Sequence, residues 1–190
     1  EAAGAAGLAV ARAPCRPALI CPELEGPLVR IPASRVLEFL TLGPEDVREI
    51  YQARLVLELA GVKAADGAPE EALLQLKDAM AQMKDAVTNG DVVGFVEADK
   101  LSHVTTVSFL KSRILSETHA SLMRRLRLAM THQEADENVM GDELHEHQEF
   151  CDLVLAGKID EAQKNLNDRL NVAERQMLKS LIAPPIHAPE

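Results

Sequence analysis

Asp99 and His103 stand four residues apart in the stretch Glu97-Ala98-Asp99-Lys100-Leu101-Ser102-His103, whose surroundings have a helical pattern. On a helix both side chains leave the same face one turn apart, at a separation that one cation could bridge. His147 follows Glu146 and precedes the apolar Phe150 and Val154 at +3 and +7. That spacing places its imidazole on the buried stripe of a second helix, whereas His145 shares a face with Gln148 and Asp152. A carboxylate and two imidazoles converging inside an acidic helical domain suit a borderline divalent ion such as Zn²⁺ or Ni²⁺. An Asp/His pair at this spacing is equally what a surface hydrogen bond looks like, so both readings stand at this point. No nucleophile with a general-base partner is evident, and no catalytic residue is assigned.

These residues have to be positioned by helices, and the chain supplies them from Pro44 onward. Pro44-Glu45-Asp46 puts a proline and two acids at a helix start, as the positive end of a helix dipole favours. The helix is expected to run to about Asp66 with Val47, Ile50, Tyr51, Arg54, Leu55, Glu58 and Leu59 on one face. Arg54 and Glu58 belong in a core only if they pair or line a pocket. Pro69-Glu70-Glu71 opens a second helix to about Thr88, with Leu73, Leu76, Met80 and Met83 inward. Asp91 caps a third, which carries Phe95, Asp99 and His103 towards Leu115, with a break near Ser112 left open. Ser116-Glu117-Thr118 offers the next start, and Arg124, Arg125 and Arg127 there read as a solvated face because Leu and Met interleave with them. Residues 131–139 read as a polar loop or helix start, residues 142–155 as the helix bearing His147, and a last helix runs from Ile159 to about Leu181. Upstream, the prolines Pro14, Pro17, Pro22, Pro27 and Pro32 make long helices improbable. Two short strands are expected there, around Val29-Arg30-Ile31 and Arg35 to Leu40.

Composition bounds the rest. The 190 residues suffice for one main domain with an appendage, and the 3% of aromatic residues with 47% hydrophobic residues favours helices packed through Leu, Ala, Val and Met. A formal net charge of -10 argues against this chain alone gripping nucleic acid. Cys15, Cys21 and Cys151 form no CxxC pair, as expected of a reduced cytoplasmic chain. No run approaches the length of a membrane span. The opening Glu1-Ala2-Ala3-Gly4 lacks Met and a basic segment, and reads as a cut rather than a signal peptide.

The segment Pro44-Glu45-Asp46-Val47-Arg48-Glu49-Ile50-Tyr51-Gln52-Ala53-Arg54 with Leu57-Glu58, the Asp99-x-x-x-His103 pair, Glu146-His147, and the turn Ala156-Gly157-Lys158-Ile159-Asp160-Glu161-Ala162 together resemble the GntR superfamily of transcriptional regulators. The resemblance is to the FadR-type members, whose C-terminal half is the helical FCD domain. Residues 8–19 resemble the recognition-helix segment of a winged helix-turn-helix, and residues 24–32 its wing. The resemblance implies an all-α antiparallel bundle of about six or seven helices over residues 44–183, preceded by an incomplete winged-helix remnant over 1–43 and followed by a tail over 184–190. It implies a ligand-responsive regulator rather than an enzyme, with a small carboxylate or sugar acid as effector. It further implies metal ligation by Asp99, His103 and His147, effector contacts by Arg54 and Arg169, DNA contacts by Arg12, Arg16 and Arg30, and a homodimer. The family's fourth ligand, a His, is replaced here by Arg169. Pro17 and Pro22 interrupt the recognition segment, each costing on the order of 3 kcal/mol inside a helix, so weak DNA binding is expected of this chain alone. The alternative from another class is a helical-bundle metalloenzyme using the same Asp/His/His set.

Overall fold

The computed structural model describes residues 28–30, 37–39, 42–133 and 137–182. Its contacts divide the chain into two units, Glu1–Leu42 and Gly43–Glu190. In the first, β1 (Leu28–Arg30) pairs antiparallel with β2 (Leu37–Phe39), Val29 opposite Glu38, which is the short ribbon expected from the alternating residues there. Arg30 closes β1, whereas Arg12, Arg16 and the recognition-like segment lie outside the described residues.

The second unit is a bundle of six helices: α1 (Pro44–Lys63), α2 (Glu70–Asn89), α3 (Val92–Ser108), α4 (Arg113–Gln133), α5 (Glu137–Leu155) and α6 (Ile159–Ile182). A short 3₁₀ turn, Ala65–Gly67, follows α1. The expected all-α architecture is therefore present. Helix α1 starts where its sequence dictates, with Pro44 in the first turn and the Gly43 amide donating to Asp46 Oδ2 at 2.9 Å. Gly90 and Gly157, at φ of 64° and 68°, take the left-handed conformation that closes α2 and α5.

Helix α3 is the hub, packing on α2, α4 and α1, while α1 also packs on α6, α2 on α5, and α5 on α6. It is buried nearly all round, including Phe95, Val96, Ala98, Asp99, Ser102, His103, Thr105, Thr106 and Val107. Two of its buried hydroxyls bond locally, Ser102 Oγ to the Asp99 carbonyl at 2.8 Å and Thr106 Oγ1 to the Ser102 carbonyl at 2.9 Å, so they can sit among apolar neighbours. The Asp91 carboxylate accepts from the Gly94 amide at 2.9 Å and so caps the helix. Asp91→Ala is expected to cost about 1 kcal/mol. Urea unfolding checks this, and a change within error of zero would mean the cap is redundant.

Two expected helix starts need correction, and one open boundary is decided. The break near Ser112 that the sequence left open is present: helix α3 stops at Ser108, and Lys111 takes a positive φ of 55° in the turn that follows. Helix α4 then begins at Arg113, not Ser116, since Ser112 already serves as its cap: Ser112 Oγ accepts from the Leu115 amide at 3.4 Å. Helix α5 starts at Glu137 rather than at residue 142, within the stretch read as a loop or helix start, and α4 reaches Gln133. Among the described residues no helix is long and apolar enough to cross a membrane.

Candidate functional site

Asp99, His103 and His147 come together as expected, and all three are buried. One potential ligand atom from each lies within 4.8 Å of the others. His147 Nε2 is 2.7 Å from Asp99 Oδ1, and His103 Nε2 is 3.3 Å from the same oxygen. Helix α3 supplies the first two from one face, and α5 presents His147 from the buried stripe it shares with Phe150 and Val154.

The protonation pattern of both rings follows from their other neighbours. His147 Nδ1 lies 2.7 Å from the Glu143 carbonyl, which can only accept, so Nδ1 carries the hydrogen and Nε2 is left with its lone pair. His103 Nδ1 lies 2.6 Å from Glu58 Oε2, again an acceptor, and its Nε2 faces Asp99. Asp99 Oδ2 and His147 Nε2 are buried without a hydrogen-bond partner, the latter because its close approach to Asp99 is poorly aligned for one. The Nε2 lone pair of His147, the His103 ring once neutral and the Asp99 carboxylate, crowded together with orphaned acceptor atoms, form a donor set for a divalent cation, each imidazole held from behind by an oxygen acceptor. The residues present thus fit such an ion through three protein ligands. They do so less well than four would, because the remaining corner is cationic.

That corner is Arg169 on α6. Its side chain is only 10% exposed, and Nε and Nη1 are buried with no hydrogen-bond partner. Glu146 Oε2 is 3.9 Å from Nε, and the guanidinium lies 5.8 Å from the Phe150 ring centroid, so it points inward rather than snorkelling to the surface. Arg169, Arg54, Asp99, His103 and His147, with Tyr51 and Glu143, line one cavity of about 50 Å³.

Behind the cavity lies a buried polar network that sequence reading only half anticipated. Arg54 and Glu58, singled out as needing a partner, are each other's: Arg54 Nε donates to Glu58 Oε1 at 2.8 Å. His119 on α4 was missed, yet it is fully buried and its Nε2 donates to the same Oε1 at 2.8 Å. Its signal was present, since His119, Met123 and Leu126 recur at helical spacing and all are buried. Of the basic cluster on α4, Arg124 is exposed and Arg125 lies 3.6 Å from Asp46, in keeping with a solvated face.

The electrostatics follow from burial opposed by partners. Burial would raise Asp99, but the charge and hydrogen bond of His103, aided by His147, hold its carboxyl well below the usual range. Burial likewise works against ionised Glu58, and Arg54 and His103 overcome it. Burial would lower His103, yet Glu58 and Asp99 on either side raise it. His147 is pushed down to about 4, first by burial and then by the charge of Arg169. In the metal-free protein this has a consequence for stability. The unfolded chain takes up the His147 proton near 6.5 while the folded one resists until about 4. Stability from this group is therefore complete above pH 6.5 and falls as pH drops towards 4. The loss at the foot of the window is on the order of 3 kcal/mol. His103 has the opposite sign, its contribution fading as pH rises through its raised value. Denaturant unfolding at pH 7 and pH 5 should show a smaller acid-side loss in His147→Gln than in wild type, and equal losses would exclude His147 as the source.

The FCD domain profile matches residues 49–171, most of the helical unit. The chain belongs to the FCD family. It is 32% identical over 105 residues to an HTH-type transcriptional regulator of Agrobacterium vitis from the TAR-I ttuE-ttuC' intergenic region, a match covering 53% of this chain and 61% of that relative's length. Among solved structures it is similar to a GntR transcriptional regulator of Rhodococcus sp. RHA1, at 25% identity and a TM-score of 0.76, over 94% of this chain and 86% of that one. McbR/YncC of E. coli shares the fold, at 17% identity and a TM-score of 0.72, over 86% and 83% of the two chains. The chain spans 61% of the length of the curated relative it matches, and both that relative and the Rhodococcus protein are transcriptional regulators.

Proposed function

We propose that this FCD protein is a ligand-responsive, DNA-binding regulator of the cytoplasm that works as a homodimer and takes a small carboxylate in the Arg169 cavity. The observation that carries the reading is a buried guanidinium with two partnerless N–H groups lining the same cavity as a partnerless carboxylate oxygen. Orphaned buried donors are costly, and an anionic guest would satisfy them with charge-assisted bonds. Arg54 contributes chiefly charge, because its Nε is already committed to Glu58. A divalent ion on Asp99, His103 and His147 would supply a second positive charge for the carboxylate.

Size narrows the class. At about 50 Å³ the cavity holds a guest of a few non-hydrogen atoms. A water needs roughly 10–15 Å³ by the same measure, so a short carboxylate suits this cavity better than a full sugar acid. DNA contact is assigned to the sequence region 1–43 with Arg12, Arg16 and Arg30, since the chain carries a net charge of -10 and needs a local basic surface for phosphate. Switching requires that the carboxylate bind one arrangement of the dimer better than another.

Thermal-shift titration with a panel of two- to four-carbon carboxylates tests the site, with stabilisation expected for a subset and none for the matching amides. Stabilisation by no carboxylate, or equally by amides, would sink it. Sedimentation at micromolar concentration tests assembly. A dimer is expected, in keeping with the exposed Val56, Val93 and Ile114 at 65%, 56% and 68%. A monomer throughout would remove the dimer from the reading.

A further inference from the structure

Glu58 sits on α1, fully buried, and receives hydrogen bonds from three helices. Its Oε1 accepts from Arg54 Nε of the same helix and from His119 Nε2 of α4, both at 2.8 Å, and its Oε2 accepts from His103 Nδ1 of α3 at 2.6 Å. We propose that Glu58 is the positioning residue of the cavity, setting the tautomer of His103 so that its Nε2 lone pair faces the guest. An ionised carboxylate can only accept, so it demands hydrogen on the His103 nitrogen it meets. Asp99 faces Nε2 in the same way but from farther off, 3.3 Å against 2.6 Å for Glu58 at Nδ1, so the neutral ring keeps its one proton on Nδ1 and leaves Nε2 bare. Taking the other tautomer would break a short, buried, charge-assisted bond and leave a carboxylate oxygen unsatisfied. The other oxygen, Oε1, holds Arg54, so one carboxylate orients two of the groups lining the cavity while touching none of its contents.

The chemistry makes the substitution Glu58→Gln directional. An amide has one accepting oxygen and one donating NH₂. Arg54 cannot accept a hydrogen bond, so the amide oxygen must remain at the Oε1 place shared with His119, and the NH₂ falls opposite His103 Nδ1. His103 must then accept at Nδ1 and carry its hydrogen on Nε2, which removes the lone pair from the cavity. A change of tautomer is something a merely structural role would not produce.

The test is long-range ¹H–¹⁵N spectroscopy of the histidine rings at a pH where they are neutral, with Ni²⁺ alone titrated by calorimetry alongside. In wild type, His103 is expected protonated on Nδ1 and His119 on Nε2. Glu58→Gln should move the His103 proton to Nε2 and weaken Ni²⁺ at least tenfold, within the ~10–100-fold range of such supporting residues. His119→Gln, whose amide can still donate to Oε1, should leave the His103 tautomer in place. A His103 that stays protonated on Nδ1 in Glu58→Gln overturns the proposal. So does a wild-type His103 protonated on Nε2, which decides the matter even if the variant fails to fold. The metal arm rests on the proposed site: wild type that takes up no Ni²⁺ refutes the divalent-ion reading, while the tautomer continues to judge Glu58.

Discussion

Arg169→Ala is expected to weaken binding of whichever short carboxylate stabilises the wild type by ~30–100-fold, corresponding to the roughly 2–3 kcal/mol that hydrogen bonds to a buried charge contribute. The same substitution should leave the ligand-free protein as stable as before, or more so. Arg169 Nε and Nη1 are buried without hydrogen-bond partners, Glu146 standing off at 3.9 Å, and burial depresses the guanidinium's own proton affinity, so in the empty protein the side chain carries a desolvation cost. An arginine that served packing would behave oppositely, its removal lowering stability without touching a ligand. Calorimetry and thermal melts on the two proteins separate these outcomes. Unchanged carboxylate affinity in Arg169→Ala would exclude it as the anchor. Arg169→His adds a reading of the position itself: it removes a fixed positive charge and offers a fourth ligand to Asp99, His103 and His147. Tighter Zn²⁺ or Ni²⁺ binding than wild type is expected, and no gain would mean the side chain at 169 does not reach the three donors.

Gly61→Ala should be the most destabilising small substitution in the bundle. A Cβ at Gly61 would lie 2.3 Å from the Thr106 carbonyl oxygen and 2.9 Å from its carbon, and both are backbone atoms of α3. A flexible side chain could swing aside, but a helix backbone cannot, so α1 and α3 must move apart. The expected cost is about 3 kcal/mol or more, seen as a fall in melting temperature of roughly 10 °C for a chain of this length. The damage should extend to the cavity. Gly61 lies three residues after Glu58, and Thr106 three after His103, so separating the helices stretches the 2.6 Å contact between those two side chains. Carboxylate binding should weaken together with stability. A melting temperature within about 2 °C of wild type would show that the crossing has more slack than these distances allow.

The two substitutions illustrate how differently the parts of this protein can be read. Helix α1 was legible because Pro44, Glu45 and Asp46 mark its start and Val47, Ile50 and Tyr51 mark its buried face, all local signals. Asp99 and His103 were legible as a pair because helical spacing alone puts them on one face. The end of α3 was not legible: its apolar, Thr-rich sequence has no strong stop, and the turn is made by Lys111 in a conformation that nothing in its side chain favours. The start of α4 was misjudged for a related reason, since Ser112 and Ser116 are equally good caps in isolation.

By itself, then, the sequence determined the helical unit, its face-by-face burial, the carboxylate and two imidazoles at 99, 103 and 147, and the presence of a charged pair at 54 and 58 in need of company. These follow from periodicity and from the cost of burying charge, which act within a few residues of each other. Only the tertiary structure decided that Glu58 serves His103 and His119 across 45 and 61 residues of chain, that Arg169 turns inward with unsatisfied N–H groups, and that Gly61 is where two backbones meet. Each of these depends on how closely separate helices approach, a quantity set by the fit of all their side chains at once rather than by the residues of any one helix.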